Sequence, residues 1–236
     1  MKRERIFATV IAFACLTQWL VACGEADSVS ERKVILGGKA FLIPEEYIRD
    51  RTTSVFSRVL DQDGKSQREI VLTFPSGEVA EIVPGYVPSD GQYAEDVIAV
   101  LAVLDERELD RYRSGERFSD LWFGSGSYSE SIVEQDEDSG LYRVFRKVEY
   151  PFSWAFLKAM PSQDEAMPAP AEFWVAHCLK RGSALTKSGE RVACSSYVLV
   201  DDVVVDFEIS EQNIGLITDV AQVLKLKVSD WLIRSD

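Results

Sequence analysis

The chain has 236 residues and a formal net charge of −13 at pH 7, with 46% hydrophobic and 11% aromatic residues. The negative charge argues against a nucleic-acid-binding protein, because nucleic acid phosphates would repel it. The apolar and aromatic content excludes an intrinsically disordered chain. The composition is typical of a folded acidic domain that stays soluble or docks on a basic protein partner.

The first 22 residues have the pattern of an export signal. Three basic residues precede an apolar run from Ile6 to Leu16, which is too short to span a bilayer comfortably. The segment ends in Leu20-Val21-Ala22-Cys23, which resembles the lipobox of bacterial lipoproteins. The resemblance implies removal of residues 1–22 and a diacylglyceryl thioether on Cys23. The alternative is an ordinary secretory signal that happens to end near a cysteine.

Residues 23–33 are polar and without periodicity, and they predict a lipidated tether. In such lipoproteins an aspartate directly after the lipidated cysteine resembles a signal for retention in the inner membrane. This chain has Gly24 at that position, so the resemblance implies a location at the periplasmic face of the outer membrane. Residues 1–22 carry a net charge of +2, so their removal would leave a mature chain with a net charge of −15. This charge argues against a domain that lies flat on anionic lipid.

Residues 34–128 are predicted to form an N-terminal α+β subdomain. Gly37-Gly38 predicts a bend before a strand from Lys39 to Ile43. Further on, Glu69–Phe74 and Val79–Val83 flank Pro75-Ser76-Gly77, which predicts a β-hairpin with a tight turn.

The rest of this subdomain holds the most apolar run of the chain after the signal. Asp96–Leu104 predicts a strand buried on both faces, although periodicity leaves a helix open. Asp105 is placed to cap a helix that runs to Tyr112. Ser119–Ser131 is rich in Ser, Gly and aromatic residues and predicts a loop.

Residues 129–236 are predicted to form a C-terminal α+β subdomain. It opens with two strands, 130–134 and 141–149, around the acidic turn 135–140, and a further strand follows at Phe152–Met160. The segment from Pro161 to Pro170 has three prolines and predicts a long loop.

Two cysteines remain in the predicted folded part, because Cys15 leaves with the signal and Cys23 takes the lipid. In an oxidising compartment Cys178 and Cys194 are expected to form a disulfide. The disulfide would close a loop of about 15 residues and stabilise the fold by roughly 3 kcal/mol. The pair would fix the register of a hairpin between 172–180 and 191–200. A Cys/His metal site with His177 is the alternative, but neighbouring strand residues point to opposite faces.

The chain ends in a strand and an amphipathic helix. Val203, Val205, Phe207 and Ile209 form one apolar face of the strand. Ser210 is the candidate N-cap of the helix, whose apolar stripe contains Ile217, Val220, Leu224, Val228 and Trp231. The predicted class is α+β, mainly antiparallel β-sheet with a C-terminal amphipathic helix. Both halves of the chain have strands followed by a helix, which suggests two related subdomains that meet near residues 114–128.

The chain lacks a recognisable catalytic or cofactor motif. His177 is its single histidine, and Gly124-Ser-Gly-Ser127 is neither a Gly-x-Ser-x-Gly elbow nor a phosphate-binding loop. The acidic turn does not have the spacing of an EF-hand. We therefore predict no catalytic residue, no metal and no cofactor. A carboxylate-dependent hydrolase is the alternative, because the chain has many acidic residues that could form a catalytic pair.

A second resemblance covers most of the folded part. A tethered acidic domain that includes Phe41-Leu-Ile-Pro-Glu-Glu-Tyr47, a disulfide-linked hairpin and a final helix ending in Ser229-Asp-Trp231 resembles the lipoproteins that act as immunity proteins for type VI secretion effectors. The resemblance implies a non-enzymatic protein that binds and blocks a toxin delivered to the periplasm. A structural envelope lipoprotein is the other alternative. Aromatic and acidic loops are the predicted contact surface: Trp122, Phe123, Tyr128, Asp136, Glu137 and Asp138.

Overall fold

A computed structural model describes residues 30–49, 68–88, 96–181 and 191–234, and the structural statements below refer to these ranges. The predicted signal peptide and Cys23 lie outside them. Glu31–Asp236 is one compact unit. Strand β1 begins at Glu31, so the last three residues of the predicted tether belong to the fold instead.

Within the described ranges, eight strands form one antiparallel sheet, and two more form a separate hairpin. The hairpin consists of β1 (Glu31–Leu36) and β2 (Lys39–Pro44). The sheet contains β3 (Glu69–Phe74), β4 (Val97–Val103), β5 (Ile132–Gln135), β6 (Tyr142–Phe145), β7 (Ser153–Leu157), β8 (Trp174–Arg181), β9 (Arg191–Val200) and β10 (Val203–Ser210). Their order across the sheet is β3-β4-β10-β9-β8-β7-β6-β5. The α+β class with mainly antiparallel sheet is confirmed.

The helices are short except for the last. They are α1 (Ser76–Ile82), α2 (Glu106–Ser114), α3 (Ser119–Phe123), α4 (Pro170–Phe173) and α5 (Ile217–Trp231). Turns of 3₁₀ helix occupy Glu45–Tyr47, Glu116–Phe118, Gly126–Tyr128, Lys147–Glu149 and Glu211–Leu216.

The sheet crosses the predicted subdomain boundary at residue 128. β4, from the first predicted subdomain, pairs along six residues with β10 from the second. Strands from both parts therefore share one sheet inside one compact unit.

The predicted hairpin around Pro75-Ser76-Gly77 is wrong in its second half. Residues 76–82 form helix α1, with Pro75 at its N-cap. Val79 and Val83 are both 2% exposed, and residues four apart lie on the same face of a helix. The apolar residues that we read as a strand are therefore the inner face of a helical turn.

The predicted loop over Ser119–Ser131 is also wrong, because α3 and a 3₁₀ turn lie within it. Phe118, Leu121 and Trp122 are buried, and their spacing of three and four residues is that of a helix face. The aromatic residues of this segment thus pack inward on the sheet.

The predicted strand at Asp96–Leu104 is confirmed as β4, but only one of its faces is fully buried. Val97, Ala99 and Leu101 are completely buried, whereas the alternate residues are half-buried. Asp105 caps α2 as predicted. Its side chain accepts a hydrogen bond from the Glu108 backbone N–H at 2.9 Å, and Glu108 Oε2 accepts one from the Asp105 N–H at 3.3 Å.

The main core lies between one face of the sheet and α5. Every residue of the predicted helix stripe is buried, as is the predicted inner face of β10. Ser210, however, precedes a 3₁₀ turn and makes no side-chain capping bond, so α5 begins only at Ile217. Cys178 and Cys194 face each other across β8 and β9 and form the predicted disulfide.

A second, smaller core covers the other face of the sheet. Along β7, Trp154 and Phe156 belong to the main core, whereas Ala155 and Leu157 belong to the second, as strand alternation requires. The other buried residues of this second core are Phe118, Leu121, Trp122, Val144, Phe173 and Trp174. The sheet is therefore covered on both faces at its β6–β8 end.

Candidate functional site

The two predicted contact loops lie at opposite ends of strand β5. The Gly126–Tyr128 turn precedes the start of β5, and the acidic turn at Asp136–Asp138 follows its end. Four strand residues at about 3.3 Å each separate them by roughly 10 Å or more. The structure therefore does not join the aromatic and acidic residues into one surface.

Trp122 is a core residue. It is 3% exposed, its ring centroid lies 4.9 Å from that of Phe173, and its Nε1–H donates to the Glu165 carbonyl at 3.2 Å. Phe123 and Tyr128 are half-buried. Of the three predicted aromatic contacts, Trp122 is therefore closed to a partner in this fold.

Asp136 has an internal structural role. It accepts a hydrogen bond from the Ser139 N–H at 3.1 Å and pairs with Arg143 at 2.6 Å. Arg143 also forms a salt bridge with Glu211 at 3.0 Å. Burial raises the pKa of Glu211, and the positive charge of Arg143 opposes this rise. Glu137 and Asp138 are exposed and remain open to a partner.

An exposed apolar turn, residues 147–152, lies at the same end of the sheet as Tyr128. Val148 is 91% exposed, Phe152 58% and Tyr150 44%. Leu179, which pairs with Ser153 at the start of β7, is 44% exposed at this end of the sheet. Clustered exposed apolar side chains of this size mark an interaction surface more often than scattered single residues do.

Hydrogen bonds and an ion pair hold the apolar turn in place. Arg146 and Glu149 form a two-bond ion pair across the turn. The Phe152 N–H donates to the Glu149 carbonyl at 2.6 Å, and the Lys180 N–H donates to the Phe152 carbonyl at 2.8 Å. The exposed side chains are thus presented on an ordered backbone, so less conformational entropy is lost when a partner binds.

Charged groups flank the apolar turn on the side of β5. Lys147 Nζ lies 2.8 Å from Glu130 Oε2, and the Tyr150 hydroxyl donates to Glu134 at 3.1 Å. Glu130 closely follows the Gly126–Tyr128 turn, so the ion pair with Lys147 ties that segment to the apolar turn. Exposed apolar side chains bordered by charged groups are the usual composition of a protein-binding surface.

The sequence predicted strands over 141–149 and Phe152–Met160, whereas residues 147–152 form an exposed turn between β6 and β7. Val148, Tyr150 and Phe152 recur at every second position, which is the pattern of a half-buried strand. Pro151 interrupts the pattern and excludes a central strand, so an exposed turn could have been considered.

Ser153 and His177 form a pair beside the turn. Ser153 Oγ lies 3.0 Å from His177 Nε2, and burial lowers the pKa of His177, which favours the neutral ring at pH 7. Ser153 is only 5% exposed, so a substrate carbonyl has little access to its hydroxyl. Both oxygens of nearby Glu149 are bound by Arg146. The geometry is that of a structural hydrogen bond.

A half-buried carboxylate, Asp206, lies on the second face of the sheet. The Tyr112 hydroxyl donates to Asp206 Oδ2 at 3.5 Å, and the Arg117 guanidinium lies 4.8 Å from the Tyr112 ring centroid and 5.2 Å from that of Tyr197. Burial raises the pKa of Asp206, and the charge of Arg117 only partly offsets this.

Asp206→Asn is therefore expected to raise the free energy of unfolding at pH 7. The pKa of this carboxyl is higher in the folded state than in the unfolded state, where it is about 4. The group therefore stabilises the fold fully below about pH 4, and this stabilisation is lost as the pH rises through the folded-state pKa. Urea unfolding at several pH values should show a flatter profile in the variant than in the wild type. Asp110→Asn, at an exposed position of α2, is the control. A less stable Asp206→Asn variant at pH 7 would show that the attraction to Arg117 outweighs desolvation.

The described ranges contain no group of three His, Cys, Asp or Glu side chains that could hold a metal ion. Among the helices in these ranges, none is long and apolar enough to cross a membrane.

Comparisons with known proteins identify two distant structural likenesses. No family model matches the sequence, and no curated protein is significantly similar to it. An immunity protein of the Stenotrophomonas maltophilia type IV secretion system is 12% identical, with a TM-score of 0.46 over 87% of this chain and 94% of that chain. The Neisseria meningitidis iron-regulated outer membrane lipoprotein is 12% identical, with a TM-score of 0.37 over 86% and 92% of the two chains. At these TM-scores the likenesses define neither a family nor a function.

Proposed function

We propose that this protein is a lipid-anchored envelope protein that binds and inhibits a protein partner, as an immunity protein does with a secreted toxin. The observation that carries the proposal is the apolar turn, with Val148 91% exposed and Phe152 58% exposed. The lipobox resemblance at Leu20–Cys23 supplies the location, through a lipid on Cys23 at the periplasmic face of the outer membrane.

The energetics of the apolar turn favour a macromolecular partner. Burying a valine or phenylalanine side chain contributes about 1.5–3 kcal/mol, and here that free energy is not gained within the fold. A partner that covers Val148 and Phe152 would gain it. Because the turn is already ordered by Arg146 and Glu149, little of this gain would be spent on fixing the backbone.

The charge of the chain indicates what kind of partner fits. At −13 overall, the protein attracts basic surfaces and repels acidic ones over a distance of several ångströms. Exposed Glu137 and Asp138 add to this field. A toxin with a basic rim around its active-site cleft would be steered towards the domain and held by the apolar turn.

The finer assignment is to effectors of type VI secretion that act in the periplasm. It rests on the resemblance carried by residues 41–47, the disulfide hairpin and the Ser229–Trp231 helix end. In this assignment the protein supplies no catalytic residue, and it acts by plugging the effector's cleft.

A pull-down tests the proposal. The lipidated full-length chain, with a C-terminal affinity tag, would be extracted from membranes of its own cells in mild detergent, and bound proteins identified by mass. We expect one tight partner that carries a hydrolytic domain and loses activity in the complex. Recovery of envelope assembly components alone would favour the structural lipoprotein. Turnover of an ester or glycoside by the purified chain itself would favour the carboxylate-dependent hydrolase.

A further inference from the structure

The β1–β2 hairpin has one face in the core and one exposed apolar face. Val34, Leu36, Phe41 and Ile43 point inward and are at most 8% exposed. On the outer face, Ile35 is 57% exposed and Leu42 38% exposed. The cross-strand pairs on this face are Lys33 with Leu42 and Ile35 with Ala40, so the two apolar side chains lie close together.

The end of the described chain extends the same face. Leu232 forms an isolated antiparallel β-bridge with Phe41, and the Ile233 N–H donates a hydrogen bond to the Ala40 carbonyl at 2.9 Å. Ile233 is 44% exposed beside the hairpin. We name Ile35, Leu42 and Ile233 the hairpin face.

The charges on this face differ from those of the acidic chain as a whole. Lys33 is exposed opposite Leu42, and Glu31 lies at the open end of the hairpin. Arg234, which follows Ile233 in the chain, is also exposed. Aliphatic side chains flanked by cations are the combination that enters the headgroup region of a membrane, where the apolar groups are buried and the cations bind phosphates.

The proposed anchor would keep this face close to the bilayer. Seven residues separate Cys23 from Glu31, the first residue of β1, and at no more than about 3.6 Å per residue the chain limits the distance between the two to about 29 Å. A compact domain with the length of Glu31–Asp236 is about 40 Å across. This limit is shorter than the domain, so a lipid on Cys23 would keep the start of the hairpin close to the membrane.

We propose that the hairpin face lies on the phospholipid surface and orients the domain on the membrane. The inference rests on the lipid anchor at Cys23 in the proposed function, and it goes beyond anchoring because it fixes which side of the domain meets the bilayer. The strongly negative remainder of the chain, which anionic lipid repels, would then face away from the membrane.

Fluorescence of the lipidated full-length protein in vesicles tests this orientation. Ile35→Cys would be labelled with an environment-sensitive fluorophore and incorporated into phosphatidylethanolamine and phosphatidylglycerol vesicles that contain nitroxide-labelled lipid. Leu226→Cys is the matched control, since Leu226 is 55% exposed on α5 and Ile35 57% exposed. Leu42→Cys provides a second position on the hairpin face should the first variant fold poorly. We expect a blue shift and severalfold stronger quenching at positions 35 and 42 than at position 226.

The outcomes separate the anchor from the orientation. Flotation of the wild type with vesicles, and loss of flotation in Cys23→Ser, would establish the anchor independently of the hairpin. Flotation with equal quenching at positions 35 and 226 would overturn the orientation and leave the anchor standing. Absence of flotation would overturn both. A blue shift at position 35 that depends on protein concentration and occurs without vesicles would overturn the inference in favour of self-association.

Discussion

Exchanging both Val148 and Phe152 for serine is expected to weaken partner binding by about 100-fold or more, because each interface hot spot that is lost costs about 2 kcal/mol or more and about 1.4 kcal/mol is a factor of ten. Both side chains are more than half exposed in the free protein, Val148 at 91% and Phe152 at 58%. The free energy of unfolding should therefore change by less than about 0.5 kcal/mol. Titration calorimetry with the partner recovered by pull-down measures the first quantity, and urea unfolding measures the second.

Two controls sharpen this result. Leu226→Ser removes an equally exposed apolar side chain, 55% exposed on α5, and should leave affinity unchanged. A Glu137→Ser and Asp138→Ser double variant tests the acidic contact predicted from sequence on its own. If the Val148 and Phe152 variant binds as tightly as the wild type, the apolar turn is not the contact surface.

Trp231→Ala is expected to lower the free energy of unfolding by about 3–5 kcal/mol, the usual cost of truncating a buried tryptophan. Trp231 is 8% exposed and stacks on Phe74 with ring centroids 5.8 Å apart and an interplanar angle of 11°. Its ring centroid lies 5.1 Å from that of Tyr47. The truncation would leave a cavity beside the two remaining rings, Phe74 and Tyr47, where α5 packs on the β3 end of the sheet.

The surroundings of this aromatic cluster limit its collapse. The Tyr47 hydroxyl donates to Glu78 at 2.7 Å and accepts from Lys227 Nζ at 2.9 Å, so the tyrosine is held and cannot fill the space. Leu226→Ala, on the same helix and mostly exposed, should cost less than about 0.5 kcal/mol. A loss below about 1 kcal/mol in Trp231→Ala would indicate that the neighbouring rings repack after all.

Long periodic segments of this fold could be predicted from sequence, and short ones could not. The stripe of α5 and the alternation in β10 each extend over several repeats, so a single period fits them. Val79 in α1 and Val83 directly after it belong to a run of only five residues, where helix and strand patterns cannot be told apart. The Cys178–Cys194 pairing followed from chemistry and compartment rather than from periodicity.

The candidate site was harder to predict because exposure depends on tertiary packing. Trp122 lies in a Ser- and Gly-rich segment typical of loops, yet the sheet face formed by β6–β8 buries it. Val148 and Phe152 have the alternation of a strand, yet the turn built by Arg146 and Glu149 projects them into solvent. In both cases the local pattern is compatible with either outcome, and distant strands decide it.

The disulfide has a further consequence for the survival of the protein in an environment that contains proteases. Cys178 and Cys194 bracket the 15 residues from Leu179 to Ala193, so a protease cut anywhere between them breaks the peptide chain without separating the two fragments. β8 and β9 would stay paired at His177–Ser195 and Cys178–Cys194. The nicked molecule would run as one species on a non-reducing gel and as two on a reducing gel. Because α5 and the apolar turn stay covalently connected, a single cut of this kind does not release either of them.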